Sequence, residues 1–206
     1  MLSTHHWIKS LAGVTCSLFL LIGCGTVTPK ADTEAEEVVA SEGPSEEELK
    51  AQQAALDFAA GVQAMKSGNH KMARDVFMAM TQNYPNYAGP WVNLGILYHR
   101  SNEDEEAERA FKQALDISKE NPEAFNQLAV FYRDLGKFHT ARDVYEEGIS
   151  LHPDYAPLRR NAGILYELYL HQNREALEHY QAYIKVKPDD KEVETWIADL
   201  LQRLAR

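Results

Sequence analysis

The stretch WVNLGILYHRSNEDEEAERAFKQAL, residues 91–115, decides the fold, because its pattern returns every 34 positions along the chain. The recurring small residues are Gly61, Gly95, Ala129 and Gly163, and the recurring aromatic residues are Phe77, Phe111, Tyr145 and Tyr180. A small residue lets one helix backbone approach another, while the aromatic ring fills the space beside it. Each unit is therefore predicted to be a pair of closely packed helices. The last aromatic comes one residue late, which predicts one inserted residue between Tyr166 and Ala176.

The 34-residue unit resembles the tetratricopeptide repeat (TPR). The matching residues of the second unit are Trp91, Leu94, Gly95, Tyr98, Ala107, Phe111 and Ala114. A single hairpin leaves an apolar face uncovered, and stacking buries it. The resemblance implies an all-α fold, a right-handed superhelical stack of four TPR helical hairpins plus a C-terminal capping helix. The TPR domain is predicted over residues 45–206, with repeats at about 54–87, 88–121, 122–155 and 156–190.

Both ends of the predicted domain carry helix signals. Ser45 with Glu48 three residues later forms a capping-box pattern, which predicts a helix from there to about Ser67. Near the other end, apolar residues at helical spacing predict an amphipathic capping helix over 191–204. They are Val193, Trp196, Ile197, Leu200, Leu201 and Leu204. The alternative, a partner-binding or membrane-surface helix, fits less well because the polar face lacks a strong positive bias.

The amino terminus has the pattern of a lipoprotein signal peptide. Residues 1–23 contain Lys9 and no acid, and the apolar run from Leu11 to Ile22 is too short to span a bilayer comfortably. The tetrapeptide LIGC, residues 21–24, resembles a bacterial lipobox. That resemblance implies cleavage before Cys24, a diacylglycerol on its thiol and an acyl chain such as palmitate on its new amine. The alternative is an ordinary signal peptide with an incidental cysteine.

The segment that follows Cys24 is predicted to be a tether. By the same resemblance, Gly25 rather than Asp after the cysteine favours sorting to the outer membrane over the inner one. Residues 24–44 hold five acids and little that could build a core, so they are predicted to be a disordered acidic tether. Cys16 leaves with the signal peptide and Cys24 is acylated, so the mature chain keeps no free thiol for a disulfide or a metal.

Charge and composition narrow the function classes. The precursor has a formal net charge of −10, and loss of Lys9 makes the mature chain −11, which argues against nucleic acid and anionic lipid as main partners. No nucleophile triad, phosphate loop or zinc motif is present. The six mature histidines are scattered: His70, His99, His139, His152, His171 and His179. The sequence predicts a protein that is not an enzyme and binds no cofactor and no metal.

The candidate binding surface follows from the resemblance, which implies that the first helix of each hairpin lines a concave face. One row at the 34-residue step is a β-branched ladder, a second carries amides that could bind a peptide backbone, and a third is mixed. Basic side chains from the same helices could gather nearby. The candidate contacts are Phe58, Val62, Lys66, Val92, Asn93, Ile96, Arg100, Asn126, Gln127, Val130, Arg133, Arg160, Asn161 and Ile164.

Two alternatives stay open for this surface. The amides and the ladder could instead serve packing between helices, and the basic residues could pair with Glu123, Asp134 or Glu167. TPR proteins that clamp a terminal carboxylate carry an amide in place of the ladder and a basic residue in place of Phe58 and Val92. An apolar segment or helix in the groove is therefore the expected ligand.

The predicted function is a lipid-anchored scaffold on the periplasmic face of the bacterial outer membrane that holds or recruits an envelope protein or peptide. Two known systems resemble it. One comprises the TPR pilotins of type IV pili, which help a secretin assemble, and the other comprises adaptor lipoproteins that gather peptidoglycan enzymes. A different class of hypothesis is a self-associating structural lipoprotein that uses its terminal helices to form a homo-oligomer.

Overall fold

The computed structural model describes residues 43–206, so the predicted signal peptide, the lipidated Cys24 and most of the predicted tether lie outside the described residues. The described part is helical. Its elements are α1 Glu46–Lys66, α2 His70–Asn83, α3 Ala88–Arg100, α4 Asp104–Ile117, α5 Pro122–Asp134, α6 Phe138–Leu151, α7 Ala156–Ile164, a π-helical turn Leu165–Tyr169 that continues α7, α8 Asn173–Val186 and α9 Lys191–Leu204. None of the helices in residues 43–206 is long and apolar enough to cross a membrane.

The helices pair into four hairpins, α1–α2, α3–α4, α5–α6 and α7–α8, with α9 packed on α8. This confirms the predicted all-α stack of four hairpins and a final helix. The start of α1 also has the predicted form: the Ser45 hydroxyl accepts from the Glu48 amide, and the Glu48 carboxylate accepts from the Ser45 amide at 2.7 Å. This reciprocal cap satisfies amide groups that the first helical turn leaves without a partner.

The small and aromatic residues found in the sequence meet in the three hairpins whose small residue is glycine, and in the third hairpin Ala129 and Tyr145 are both fully buried. A methyl group built on the glycines would lie well inside contact distance of the facing ring. The separations are 2.7 Å for Gly61 and Phe77, 2.5 Å for Gly95 and Phe111, and 2.4 Å for Gly163 and Tyr180. All four aromatic residues of this series are almost fully buried. The 34-residue pattern therefore encodes the distance between the two helices.

The inserted residue is accommodated by the π-helical turn. In the first three hairpins, the hydrogen bond that closes the turn between the helices spans five residues, as in Glu103 N–H to Tyr98 O at 2.9 Å. In the fourth it spans six, from Gln172 N–H to Tyr166 O at 2.8 Å. A π turn holds one more residue than an α turn, so the helices on both sides keep their packing.

Candidate functional site: the first-helix face

The surface of interest is formed by α1, α3, α5 and α7, and is called the first-helix face below. Helix α3 contacts α5, and α5 contacts α7, so equivalent residues of successive hairpins come to lie in rows. The β-branched ladder is one such row, and each of its members is partly buried against the hydrophobic core: Val62, Ile96, Val130 and Ile164. The ladder residues are thus partly exposed, and they contribute both to packing and to the surface.

The predicted amide row bonds mainly within the protein. Asn93 donates to the Gly89 carbonyl at 3.0 Å, and Gln127 donates to the Glu123 carboxylate at 2.6 Å. The Asn161 amide donates to Asn126 Oδ1 at 2.8 Å. These bonds fix the orientation of each amide, and each side chain keeps one further N–H that a ligand could use.

Two of the predicted contact residues are buried and do not reach the surface. Val92 is only 3% exposed and belongs to the hydrophobic core, and Asn126 is 5% exposed. A ligand could reach these two side chains only if the structure opened, so their contact with a ligand stays a prediction. Their row faces the following first helix: Asn126 of α5 accepts from Asn161 of α7 at 2.8 Å, and the partly covered Phe58 ring of α1 lies beside Gly89 of α3.

The predicted basic residues divide into two kinds. Arg160 lies 3.1 Å from the Glu192 carboxylate and 4.8 Å from the centre of the Trp196 ring, so it joins α7 to α9. Arg133 bonds Asp134 at 3.0 Å, which is one of the three pairings that the sequence left open. The other two acids bond elsewhere, because Glu123 accepts from Tyr155 and Glu167 accepts from Tyr180 and Arg203.

Lys66 and Arg100 form the second kind. Both are exposed at the carboxyl ends of α1 and α3, and neither has an ion pair with any residue between 43 and 206. A cation at the end of a helix is favoured by the helix dipole. The carboxyl ends of α1 and α3 therefore carry positive charge, and no carboxylate among residues 43–206 forms an ion pair with it.

The sequence did not predict the apolar groove between α1 and the start of α3. It has a volume of about 280 Å³ and is lined by Ala51, Ala54, Ala55, Phe58, Tyr87, Gly89 and Pro90. Helix α1 begins two turns before the position at which α3, α5 and α7 begin in their own repeats. Ala51 comes from those extra turns, and the small side chains of Ala51, Ala54 and Ala55 leave the space open. The alanines of α1 and the extra helix length were the available sequence signals.

Tyrosine–carboxylate bonds join neighbouring helices at two places in the stack. The Tyr84 hydroxyl donates to Asp57 at 3.0 Å, beside the apolar groove, and the Tyr155 hydroxyl donates to Glu123. Burial, together with the hydrogen bond to the Glu123 carboxylate, raises the pKa of the Tyr155 hydroxyl. These tyrosines stay neutral hydrogen-bond donors at physiological pH. Among the described residues no cluster of three His, Cys, Asp or Glu side chains has the geometry of a metal site.

Comparison with known proteins identifies the repeats. Two tetratricopeptide repeat models match this chain, over residues 88–121 and 122–165. Among solved structures, PilF of Pseudomonas aeruginosa is 18% identical, covers 76% of this chain and 71% of its own, and superimposes with a TM-score of 0.67. A thermophilic TPR protein of Thermus thermophilus is 20% identical, with a TM-score of 0.62 over 71% of this chain and 80% of its own.

A third structure has a bound peptide. The first TPR domain of RPAP3, in complex with the HSP90 peptide SRMEEVD, is 22% identical, covers 58% of this chain and 96% of its own, and has a TM-score of 0.53. At these identities the likeness shows the fold alone. Residues 88–165 are therefore tetratricopeptide repeats, and they stand within an all-helical stack of the TPR architecture.

Proposed function

We propose that this protein is a membrane-anchored scaffold of the bacterial periplasm, whose first-helix face binds an envelope protein or peptide and so aids assembly of an envelope complex. TPR proteins are protein–protein interaction scaffolds. The observation that carries the proposal is the apolar groove between α1 and α3, whose Phe58 lies one helical turn before Val62, the first member of the ladder. Apolar clefts with a few polar groups at their edges are where ligands bind most often.

The proposed ligand is an apolar segment that also carries acid. Apolar side chains would occupy the groove beside Phe58 and follow the ladder. Carboxylates of the ligand would meet Lys66 and Arg100, which form no ion pair with residues 43–206. The whole chain is acidic, so this local positive charge selects a ligand more sharply than a uniformly basic surface would.

The proposed location rests on the first residues of the sequence. Acylation at Cys24 would attach two or more acyl chains. Two acyl chains give stable membrane anchoring, whereas a single one gives only marginal binding. Gly25 favours the outer membrane. The complex could be the pilus and secretin machinery or the cell-wall machinery, and the likeness to PilF is compatible with the first. We expect no catalytic activity, because the fold typically serves binding.

The binding proposal is tested by filling the groove. Ala55 is exposed and lines it, so Ala55→Trp places an indole in the groove without entering the core. Ala60→Trp, at an exposed position of the same helix outside the groove, is the matched control. In-cell crosslinking followed by mass spectrometry names the partner, and the purified partner is then titrated against each variant. We expect Ala55→Trp to weaken binding at least tenfold and Ala60→Trp to leave it unchanged. Equal binding by both variants would exclude the groove.

The charge component has its own test. The double variant Lys66→Glu and Arg100→Glu reverses both exposed cations. We expect it to weaken the same partner at low ionic strength and to do so less at 0.5 M salt, because exposed charges are screened. If affinity is the same for parent and variant at every salt concentration, the ligand makes no contact with these cations.

The anchor is tested separately from binding. Cys24→Ala removes the proposed acylation site. We expect metabolic labelling with an alkynyl palmitate to mark the parent and not the variant, and membrane fractionation to move the variant out of the outer-membrane fraction. Labelling that persists in Cys24→Ala would place the lipid elsewhere or contradict the lipobox.

A further inference from the structure

The last helix, α9, occupies the position of a first helix in the stack. A step of 35 residues, the repeat plus its insertion, aligns α9 with α7. Leu158 and Val193 correspond, as do Leu165 and Leu200, and all four side chains are fully buried. Helix α9 therefore packs on α8 in the register in which α7 packs on α6.

The side of α9 next to this buried face lacks the cover that α7 has. In α7, Ala162, Gly163 and Tyr166 are buried, and the Tyr180 ring of α8 lies directly on Gly163. Their counterparts in α9 are Ile197, Ala198 and Leu201. Ile197 is partly buried, Ala198 is exposed and Leu201 is 49% exposed. Within residues 43–206, no aromatic ring covers Ala198 as the Tyr180 ring covers Gly163.

The four complete hairpins show what covers such a face. In each, a second helix carries a small residue and, four positions later, the aromatic ring that lies on the first helix. These pairs are Ala73 and Phe77, Ala107 and Phe111, Ala141 and Tyr145, and Ala176 and Tyr180. A capping helix usually turns a polar face outward. Helix α9 does so with Lys191, Thr195 and Asp199, and the strip Ile197, Ala198 and Leu201, here called the α9 strip, is an apolar edge beside that polar face.

We propose that the α9 strip binds an amphipathic helix of another protein, which carries a small residue followed four positions later by Phe or Tyr. The aromatic ring sits over Ala198 and completes a fifth hairpin between two chains. A second copy of this chain is a poor source of that helix. Its own aromatic residues at this position are at most 1% exposed, so each matching helix is already used within its hairpin. This surface is separate from the groove between α1 and α3.

The first experiment uses a peptide of the α4 sequence, residues 104–117, which holds Ala107 and Phe111 at the required spacing. It is titrated into the isotopically labelled full-length protein, and the amide signals of Ala198 and Leu201 are followed by NMR. We expect shifts centred on α9, and roughly tenfold weaker binding by a peptide with Phe111→Ala, since the ring is the main buried group. Equal binding of the two peptides, or no shift in α9, overturns the proposal.

Variants of the protein make the test specific. Ala198→Glu places a charge in the α9 strip at an exposed position, and Thr195→Glu adds the same charge at an exposed position outside it. We expect Ala198→Glu to weaken peptide binding at least tenfold and Thr195→Glu to have little effect, with thermal unfolding confirming that both variants fold. Comparable losses in both would indicate a nonspecific charge effect and contradict the proposed strip.

Two further outcomes separate this inference from its rivals. Ala55→Trp, which fills the groove between α1 and α3, is expected to leave peptide binding at α9 unchanged, so the two surfaces can fail independently. Light scattering of the protein alone is expected to give one mass at all concentrations. A mass that rises with concentration, and that Ala198→Glu returns to the monomer value, would show that a second copy occupies the α9 strip and would overturn the choice of partner.

Discussion

The second hairpin, α3–α4, and the fourth, α7–α8, make the same buried contact with segments of different length. Gly95 lies under Phe111 in one, and Gly163 lies under Tyr180 in the other. The hydrogen bond that closes the turn spans five residues in the second hairpin and six in the fourth, where the π-helical turn holds the extra residue. The contact between the helices is therefore kept, while the length of the connecting segment varies.

The two hairpins also differ in how they join their neighbours. Arg74 of the first hairpin bonds Glu103 of the second at 2.7 Å. The fourth hairpin joins the third through Glu146, which accepts from Tyr166 at 2.8 Å and lies 3.2 Å from His179. The apolar contacts repeat and the polar contacts are individual to each junction. Stability should thus depend mostly on the repeated positions and only slightly on the polar ones.

The largest expected effect is overpacking of the repeated contact. We expect Gly95→Val and Gly163→Val each to lower the free energy of unfolding by about 3 kcal/mol in urea titrations, because added methyl groups would overlap the facing ring. Ala79→Val, at an exposed site of α2, is the control and should cost about 0.5 kcal/mol through helix propensity. A Gly163→Val variant as stable as the control would show that the π turn lets the fourth hairpin open.

The next effect compares two equivalent tyrosines. The Tyr180 hydroxyl donates to Glu167 at 3.1 Å, whereas the buried Tyr145 hydroxyl has no partner among the described residues. We expect Tyr180→Phe to lower the free energy of unfolding by about 1 kcal/mol and Tyr145→Phe to raise it by a similar amount, a difference of about 2 kcal/mol. The urea midpoints of the two variants give the comparison. Equal losses in both would mean that the Tyr145 hydroxyl also has a bonding partner.

A smaller effect concerns the turn between the two helices of a hairpin. The turn residue has a positive φ in all four hairpins: Gly68 at 77°, Asn102 at 59°, Gly136 at 74° and His171 at 55°. Histidine is strained in this region, so His171→Gly should raise the free energy of unfolding by about 1 kcal/mol. The reverse change, Gly136→His, should lower it by about as much, and urea titrations of both variants give the comparison. A destabilised His171→Gly variant would show that the histidine side chain contributes a contact.

The smallest effect is a pH dependence at the junction of the third and fourth hairpins. The hydrogen bond from His179, and then that from Tyr166, lower the pKa of Glu146 below its usual value, and burial opposes them. A lowered pKa in the folded state gives stability that is present at neutral pH and is lost as the pH falls, here between about pH 5 and pH 3. Glu146 is nearly half exposed, so the loss is a few tenths of a kcal/mol.

The measurement follows the unfolding midpoint across that pH range. Glu146→Gln should make the decline with falling pH shallower, and Glu178→Gln, at an exposed site of α8, should leave it unchanged. An equally steep decline in Glu146→Gln and the parent would mean that this carboxylate is not linked to folding.

The sequence predicted the parts of the fold that repeat. The spacing of small and aromatic residues located the four hairpins, and the late arrival of Tyr180 located the insertion before the structure showed a π turn there. A periodic pattern can be recognised in a sequence because the same contact between helices recurs in each repeat. The form of the insertion was not readable, since one extra residue can enter a loop or a helix equally well.

The candidate site was predicted less completely. The ladder residues are partly exposed, whereas Val92 and Asn126 are buried because their row faces the adjacent first helix. The groove beside Phe58 was missed, because it depends on how far α1 extends past the start of α3. Helix length relative to a neighbour is a property of the assembled stack, and a single periodic row does not contain it.

The π turn at Leu165–Tyr169 has a buried side, which packs in the core, and an exposed side. It places Leu168, which is 59% exposed, on the outside of the stack, while Leu165 at its start stays fully buried. Evolution could alter the exposed side of this turn without moving α8 or α9. The fourth hairpin is thus a position where a repeat protein can acquire a new surface at little cost to its stability.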